Sequence, residues 1–209
     1  MSQTQTDLVL GLAQQTGILR PRDLDKHHIP RYYLHRLWRR GLLERAARGL
    51  YRAPERALSE HHSLVEASKN VPKGVVCLLS ALQFHGLTTQ NPFAIWLAIP
   101  EKARRPQPNG LPLRVVRFSG QALTAGIEEH WLEGVVVKVY HPAKTVADCF
   151  KYRHKIGLDV AIEALRDALR LRNADGYQRC SIDEIWQYAQ ICRVTNVIKP
   201  YLAALYGGV

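Results

Sequence analysis

Residues 29–54, with the sequence IPRYYLHRLWRRGLLERAARGLYRAP, decide the fold that we predict for this chain. In their first half, apolar residues and a glycine recur at i, i+3, i+4 and i+7, the spacing of one face of an α-helix: Leu34, Leu37, Trp38 and Gly41. Pro30 suits the first helical turn, because its missing N–H would have no partner there. Gly41 is a typical end of a helix. The stretch therefore predicts an amphipathic helix from Pro30 to Gly41.

A short hairpin is predicted directly after this helix. Residues 43–46 and 50–53 have the pattern of two strands, and Gly49 suits the turn Ala47-Arg48-Gly49 between them. A basic helix followed at once by a basic hairpin is the arrangement of the recognition helix and wing in a winged helix-turn-helix. We expect such a domain over residues 1–55.

The residues before this stretch complete the predicted domain. Thr6 is a candidate N-cap for a helix to about Thr16, which Gly17 would close. Its expected buried stripe is Leu8, Val9, Leu12 and Ala13. Pro21 would open a second short helix that presents Leu24 to the core. Three helices and a hairpin would then occupy about the first quarter of the chain.

Positive charge is concentrated in the same segment. The whole chain has a formal net charge of +11. Residues 1–54 hold ten Lys and Arg against four acids, whereas the remaining 155 residues hold nineteen against fourteen. More than half of the excess therefore lies in about a quarter of the chain, which favours a local anionic partner such as double-stranded DNA.

The predicted helix and hairpin supply nine candidate DNA-binding residues. The residues on the exposed face and N-terminal part of the helix are expected to meet base edges in the major groove: Arg31, Tyr32, His35, Arg36 and Arg39. Four further arginines are better placed for phosphates: Arg40, Arg45, Arg48 and Arg52. Arg48 would lie at the wing tip, within reach of the minor groove. The alternative is a merely solvated basic face, and Tyr33 and Trp38 are expected at the edge of the core.

The rest of the chain, residues 59–209, predicts an α+β domain. A helix before Pro72 and a strand that leads into the helical SALQFHG precede strands at 94–99, 113–118 and 131–140. Strands this close in sequence indicate a small mixed or antiparallel sheet. Four helices follow, at about 142–153, 158–172, 181–193 and 196–206, with a capping box of Ser181 and Glu184. The fold class is α+β, a winged helix-turn-helix followed by an α+β domain with a helical C-terminal part.

The sequence also resembles a known family between about residues 17 and 171. The pattern IPRxxLxRLxxxGLLERxxRGLYR, then LSALQFHGL, AIWLAIP and VYHPAKTVADCFKYR, is similar to the AbiEi family of type IV antitoxins. The resemblance implies a winged helix that binds inverted repeats in its own promoter. It also implies a C-terminal domain that counteracts an AbiEii-type nucleotidyltransferase toxin, with direct contact left open. A transcriptional regulator unrelated to a toxin and a plain interaction module are alternatives.

A DNA-targeted nuclease is the enzymatic alternative, and the motifs argue against it. Glu133 and Lys138 lie five residues apart in a single predicted strand, so they would point to opposite faces. The chain has neither a G-x-x-x-x-G-K-[ST] phosphate loop nor a G-x-G-x-x-G fingerprint. Ser80 and His85 lack a nucleophile elbow, and packing is the favoured interpretation of both. We expect no catalytic residue and no cofactor.

Metal sites and nucleic-acid contacts elsewhere have weak support. His61, His62 and Glu66 share a predicted helix without the H-E-x-x-H pattern, which indicates a polar helix start and no metal. Lys144 and Asp148 form an i, i+4 pair after His141. Lys144, with three neighbouring basic residues, could instead face nucleic acid: Lys151, Arg153 and Lys155. Three basic residues recur on one side of a predicted helix, which is compatible with either a solvated face or a partner surface: Arg166, Arg170 and Arg172.

Cysteine spacing and hydropathy bear on the compartment. The four cysteines, Cys77, Cys149, Cys180 and Cys192, are at least twelve residues apart, so they form neither a C-x-x-C redox motif nor a zinc knuckle. No apolar run approaches the roughly 18 residues of a membrane span, and the polar start MSQTQTD is unlike a signal peptide. These features predict reduced thiols, no membrane partner and a cytoplasmic protein.

Overall fold

The computed structural model describes residues 5–53, 60–107, 110–170, 176 and 179–206. Within these ranges the chain forms two compact units. The described residues within 1–72, 106–112 and 130–137 form the first unit, and the described residues within 73–105, 113–129 and 138–209 form the second. The predicted linker around Pro54 lies outside the described residues, and the division into residues 1–55 and 59–209 stays a prediction.

The first unit contains the predicted winged helix. Its elements are, in order, α1 (Gln5–Thr16), β1 (Ile18–Leu19), two 3-10 turns (Pro21–Asp23 and Asp25–His27), α2 (Tyr32–Arg39), β2 (Glu44–Ala47) and β3 (Leu50–Arg52). The strands form an antiparallel sheet in the order β1-β3-β2. The core between sheet and helices is apolar: Val9, Ala13, Leu19, Leu24, Leu34, Leu37 and Leu43.

Helix α2 ends as the sequence predicts. Gly41 has a φ of +71°, its N–H donates to the carbonyl of Trp38 at 3.0 Å, and the N–H of Leu42 donates to the carbonyl of Leu37 at 3.0 Å. These two hydrogen bonds form a Schellman motif, which satisfies carbonyls that the helix end leaves unpaired. The helix begins at Tyr32, two residues later than predicted, so Pro30 precedes it.

The wing is a hairpin with a two-residue turn, Arg48-Gly49, in which Gly49 has a φ of +77°. Ala47, predicted in the turn, ends β2 and pairs with Leu50. The register shifts between Arg45 and Ala47, which places a bulge in β2. The turn therefore presents Arg48 at the tip of the wing.

Two further elements belong to the first unit. One is α3 (His62–Asn70), which ends before Pro72 as predicted. The other is a hairpin tip, residues 130–137, whose turn is Glu133-Gly134 with φ values of +50° and +74°. A Cβ on Gly134 would lie 2.9 Å from the carbonyl oxygen of Gln15, so the turn packs directly on the end of α1.

The second unit is built on a five-stranded sheet in the order β6-β5-β4-β8-β7. The strands are β4 (Val75–Val76), β5 (Ile95–Pro100), β6 (Leu113–Phe118), β7 (Ile127–Leu132) and β8 (Val135–Tyr140), and the residues of β7 and β8 within 130–137 are those of the hairpin tip. β4 pairs antiparallel with β5 and parallel with β8, and β5 pairs parallel with β6. The sheet is therefore mixed, one of the two forms that the sequence allowed.

Helices complete the second unit: α4 (Leu78–Phe84), α5 (Gln121–Thr124), α6 (Pro142–Lys151), α7 (Arg153–Ile156), α8 (Leu158–Arg170), α9 (Ile182–Cys192) and α10 (Thr195–Tyr206). Every residue of α6 from Pro142 to Phe150 is buried, so this helix is the centre of the core. The predicted capping box is present, since Ser181 Oγ accepts from the N–H of Glu184 at 3.2 Å and Glu184 Oε2 accepts from the N–H of Ser181 at 2.8 Å.

Three local expectations were wrong. Residues 131–140 form parts of two strands, because Glu133 adopts a left-handed conformation and the chain reverses there. Thr6 lies inside α1, which the structure describes from Gln5, and is not its cap. Leu8 is 40% exposed, because the buried side of α1 is formed by Val9 and Ala13. In the described residues, no helix is both long and apolar enough to cross a membrane.

Candidate nucleic-acid interface

Helix α2 has one buried face and one basic face. Leu34 and Leu37 are at most 1% exposed, which fixes the helix to the core of the first unit. Tyr32 is 56% exposed, and Arg36 and Arg39 are exposed beside it. Because residues three and four apart share a side of a helix, this exposed face presents a continuous basic surface.

The structure exposes eight of the nine predicted site residues. Six lie on α2 or at its ends: Arg31, Tyr32, His35, Arg36, Arg39 and Arg40. Arg45 lies on β2 and Arg48 in the wing turn, and both are exposed. Arg52, on β3, is half-buried.

Aromatic rings hold two of these arginines close to the helix surface. The Arg36 guanidinium carbon lies 5.7 Å from the centre of the Tyr33 ring, and that of Arg45 lies 5.6 Å from the centre of the Trp38 ring. Each contact limits the freedom of a long side chain. Tyr33 and Trp38 are partly buried against the core, as predicted. The Arg45 contact also ties β2 to α2.

Arg31 is engaged within the protein. Its Nε donates to Asp25 at 2.9 Å, and its Nη2 donates to the other oxygen of the same carboxylate. These hydrogen bonds lower the pKa of the exposed Asp25 carboxyl. The fork that would pair with guanine is therefore occupied in the free protein, and Arg31 joins the second 3-10 turn to the start of α2.

Arg52 belongs to a chain of polar contacts that leads away from the wing. Its Nε donates to Glu44 at 2.6 Å, across the β2–β3 pair. Its Nη1 lies 3.4 Å from His62 Nε2, and His62 Nδ1 lies 2.8 Å from the Glu133 carboxylate. Sequence reasoning missed this arrangement, since Glu133 is 71 residues from His62 and no spacing connects them.

Five arginines remain available for an external anion: Arg36, Arg39, Arg40, Arg45 and Arg48. Among the described residues none of them has a carboxylate partner. An unpaired guanidinium keeps its donors for phosphate oxygens or base edges.

The predicted cluster at His141, Lys144 and Asp148 is structural. Lys144 is fully buried and its Nζ donates to Asp148 at 2.6 Å, so Lys144 does not face nucleic acid. His141 is the N-cap of α6, where its Nδ1 accepts from the N–H of Ala143 at 3.2 Å. Burial raises the pKa of the Asp148 carboxyl, against the opposing effect of Lys144.

The remaining candidates for chemistry also have structural roles. His85 Nε2 lies 2.8 Å from the carbonyl oxygen of Tyr140, and Ser80 Oγ accepts from the N–H of Trp96 at 3.0 Å. Both side chains are buried, as the packing interpretation predicts. Within the part of the chain that the structure describes, no group of three potential metal ligands comes together.

Comparison with solved structures finds a similar fold in a protein from Mycobacterium tuberculosis. The crystal structure of the RV2827C protein from Mycobacterium tuberculosis matches 90% of this chain and 75% of that chain, with a TM-score of 0.57. The sequence identity is 16%, so the likeness concerns the fold alone. No curated protein sequence matches the chain.

Two family models match the sequence in order. Residues 7–54 match the model described as a transcriptional regulator, AbiEi antitoxin, and residues 74–190 match the AbiEi antitoxin C-terminal domain. These descriptions are those of regulators and antitoxins, not of enzymes. The second match covers more than half of the chain. The chain belongs to the AbiEi antitoxin family and is a regulator of a toxin–antitoxin system.

Proposed function

We propose that the protein represses its own operon by binding inverted repeats in promoter DNA through α2 and the wing. The observation that supports this most directly is the set of exposed arginines on α2 and the β2–β3 hairpin that have no carboxylate partner among the described residues. A solvated face would carry charges of both signs, whereas α2 and its flanking residues 31 and 40 carry only basic ones.

The residues divide into two roles in this proposal. Arg36 and Arg39, with Tyr32 and His35, lie on the exposed face of α2 and read base edges in the major groove. Three arginines bind phosphates: Arg40, Arg45 and Arg48. Arg31 contributes to base reading only if it leaves Asp25. Arg52 acts through the position of the wing, because Glu44 holds its guanidinium.

Phosphate contacts supply most of the affinity in such a complex. If about six phosphates are neutralised, the logarithm of the association constant falls with the logarithm of the salt concentration at a slope of about −5. This slope measures the number of contacts, which can be compared with the number of free arginines.

A binding titration with two duplexes tests the proposal. One duplex carries the promoter upstream of the operon, and the other has the same length and composition in scrambled order. We expect tighter binding to the promoter by about a thousandfold or more at physiological salt, with a steep salt dependence for both duplexes. Equal affinities would refute sequence-specific repression.

We further propose that the C-terminal domain counteracts a nucleotidyltransferase-type toxin. The support is the match of residues 74–190 to the antitoxin C-terminal domain. Co-expression with the neighbouring gene tests it through growth rescue, and co-purification separates direct contact from antagonism without contact. A toxin that stays fully active beside the full-length chain would refute this part.

A plasmid-nicking assay with Mg²⁺ or Mn²⁺ checks the enzymatic alternative. Repression by occupancy of the promoter requires no cleavage, so supercoiled plasmid should stay intact at protein concentrations that saturate the DNA. Nicking that EDTA abolishes would favour a DNA-targeted nuclease.

A further inference from the structure

A concave surface of the second unit is lined by hydrogen-bond donors. It has a volume of about 450 Å³ and lies between the loop after β6 and the C-terminal ends of α6 and α9. Three cations reach it from these separate elements: Arg117, Lys151 and Arg193. Its polar lining also includes Ser119, Gln121 and Gln190, and no Asp or Glu stands among the described residues that line it.

The positions of two cations are fixed by the local structure. Arg117 Nη1 donates to the carbonyls of Ala103 at 2.8 Å and Pro100 at 3.3 Å, which anchors the guanidinium beside the surface while its other nitrogens stay free of partners among the described residues. Arg193 is a left-handed cap of α9 with a φ of +58°. A non-glycine residue is uncommon in this conformation, and here it directs an arginine to the rim.

The dipoles of helices α6 and α9 explain the positions of only two of the three cations. A cation is favourable near the C-terminus of a helix, where the partial charge is negative, and both Lys151 and Arg193 stand at such ends. The dipole does not account for Arg117, which lies on a strand. Nor does it account for the lack of a carboxylate, which is the usual partner of surface cations.

We propose that this surface binds the diphosphate or triphosphate group of a small ligand. Donors and cations on a surface that no described acid lines match phosphate oxygens, which only accept hydrogen bonds and carry negative charge. The volume lies within the range of small-molecule sites. The neighbouring Tyr152 ring already contacts Phe118, at 5.6 Å between ring centres, and the Lys155 ammonium, at 5.4 Å from the ring centre. The proposed recognition therefore rests on the donors and cations that line the surface.

Isothermal titration of the full-length protein tests the proposal with pyrophosphate, tripolyphosphate, ATP and adenosine at one ionic strength. We expect the three phosphate compounds to bind and adenosine to give no heat. Equal affinities for tripolyphosphate and ATP would assign a free polyphosphate, and tighter binding of ATP would assign a nucleotide. Either result supports a phosphate site, whereas silence from all four compounds overturns it.

Two double variants with the same change in charge separate a site from diffuse attraction. The double variant Lys151→Ala, Arg193→Ala removes two lining cations. If each loss weakens the binding of tripolyphosphate at least about tenfold, the dissociation constant of the double variant should rise at least about a hundredfold. Arg166→Ala with Arg170→Ala removes two exposed arginines of α8 that do not line the surface, and binding should stay unchanged. Equal weakening in the two variants would overturn the proposal.

Two further controls test whether the variants fold correctly and whether the result is independent of DNA binding. The single change Arg193→Lys keeps a cation at the rim, so it should retain more of the affinity than Arg193→Ala if the charge is what matters. Circular dichroism reports whether each variant keeps its helices. All titrations are made without DNA, so their outcome does not depend on whether α2 binds a promoter.

Discussion

Gly134 and Gly49 have nearly the same backbone conformation, with φ values of +74° and +77°, but different surroundings. A Cβ on Gly49 would meet nothing within 4 Å. A Cβ on Gly134 would lie 2.9 Å from the carbonyl oxygen of Gln15 and 3.0 Å from the Cα of Thr16. Those atoms are backbone at the end of α1, so a change of rotamer cannot relieve the contact. The two glycines thus form a matched pair for alanine substitution.

The structure gives a different cost for each substitution. Gly49→Ala carries only the strain of a left-handed alanine, about 1 kcal/mol. Gly134→Ala carries the same strain and adds the steric cost of overpacking, about 1–3 kcal/mol. We therefore expect Gly134→Ala to lower the free energy of unfolding of the first unit by about 1–3 kcal/mol more than Gly49→Ala does.

Hydrogen exchange at increasing urea concentrations measures this difference for the amides of the first unit. Global unfolding of a two-unit protein need not be two-state, whereas protection of the α1 and α2 amides reports on the first unit directly. If the two variants lower that protection by the same free energy, within about 0.5 kcal/mol, then the hairpin turn does not pack on the end of α1.

Further substitutions test the interface, the buried Lys69 and the buried pair of Lys144 and Asp148. Arg36→Ala should reduce promoter affinity by about 1–3 kcal/mol and relax sequence preference, whereas Arg48→Ala should weaken promoter and scrambled duplexes alike, as fluorescence titrations would measure. Burial lowers the pKa of the Lys69 amine to about 8 from an ordinary value of 10.5. The folded state therefore disfavours the charged form of Lys69, and Lys69→Met should raise the free energy of unfolding by about 2 kcal/mol near pH 7. Between pH 8 and 10.5 the folded wild-type protein loses this proton while the unfolded chain keeps it, so the wild type gains stability and its difference from the variant shrinks. Urea unfolding at several pH values measures this difference. Asp148→Leu should cost about 3–5 kcal/mol because it leaves Lys144 buried without its partner, and the double variant with Lys144→Met should recover most of that loss in the same assay.

The elements that the sequence predicted well are those with local determinants. Helix α2 follows from the spacing of Leu34 and Leu37, and its end follows from Gly41 alone, since the Schellman motif uses hydrogen bonds within six residues. The wing turn follows from Gly49. The capping box at Ser181 is likewise a contact over three residues. Each of these signals can be recognised without knowledge of the tertiary fold.

The elements that the sequence missed depend on distant partners. Glu133 occupies a left-handed turn position that glycine or asparagine usually takes, so residues 131–140 resembled a single strand. The i, i+4 spacing of Lys144 and Asp148 predicted their pairing but not their burial, which packing of α4, α8 and α9 around α6 decides. Arg31 resembled any other basic residue of the helix, because its partner Asp25 precedes the helix in a separate turn.

Long-range contacts of Arg52 also show how many residues are needed to position the wing. The match to the transcriptional-regulator family ends at residue 54. Arg52, at the end of the wing, nevertheless contacts His62 on α3, and His62 contacts Glu133 in the hairpin tip. The side chains of His62 and Glu133 are only 10% and 7% exposed, so this pair is shielded from water and strongly directional. A fragment of residues 1–55 would retain Glu44 as the partner of Arg52 but lose everything that holds its other side. The division into residues 1–55 and 59–209 therefore stays a proposal about the two domains of the sequence. The structural unit that positions the wing also includes α3 and residues 130–137.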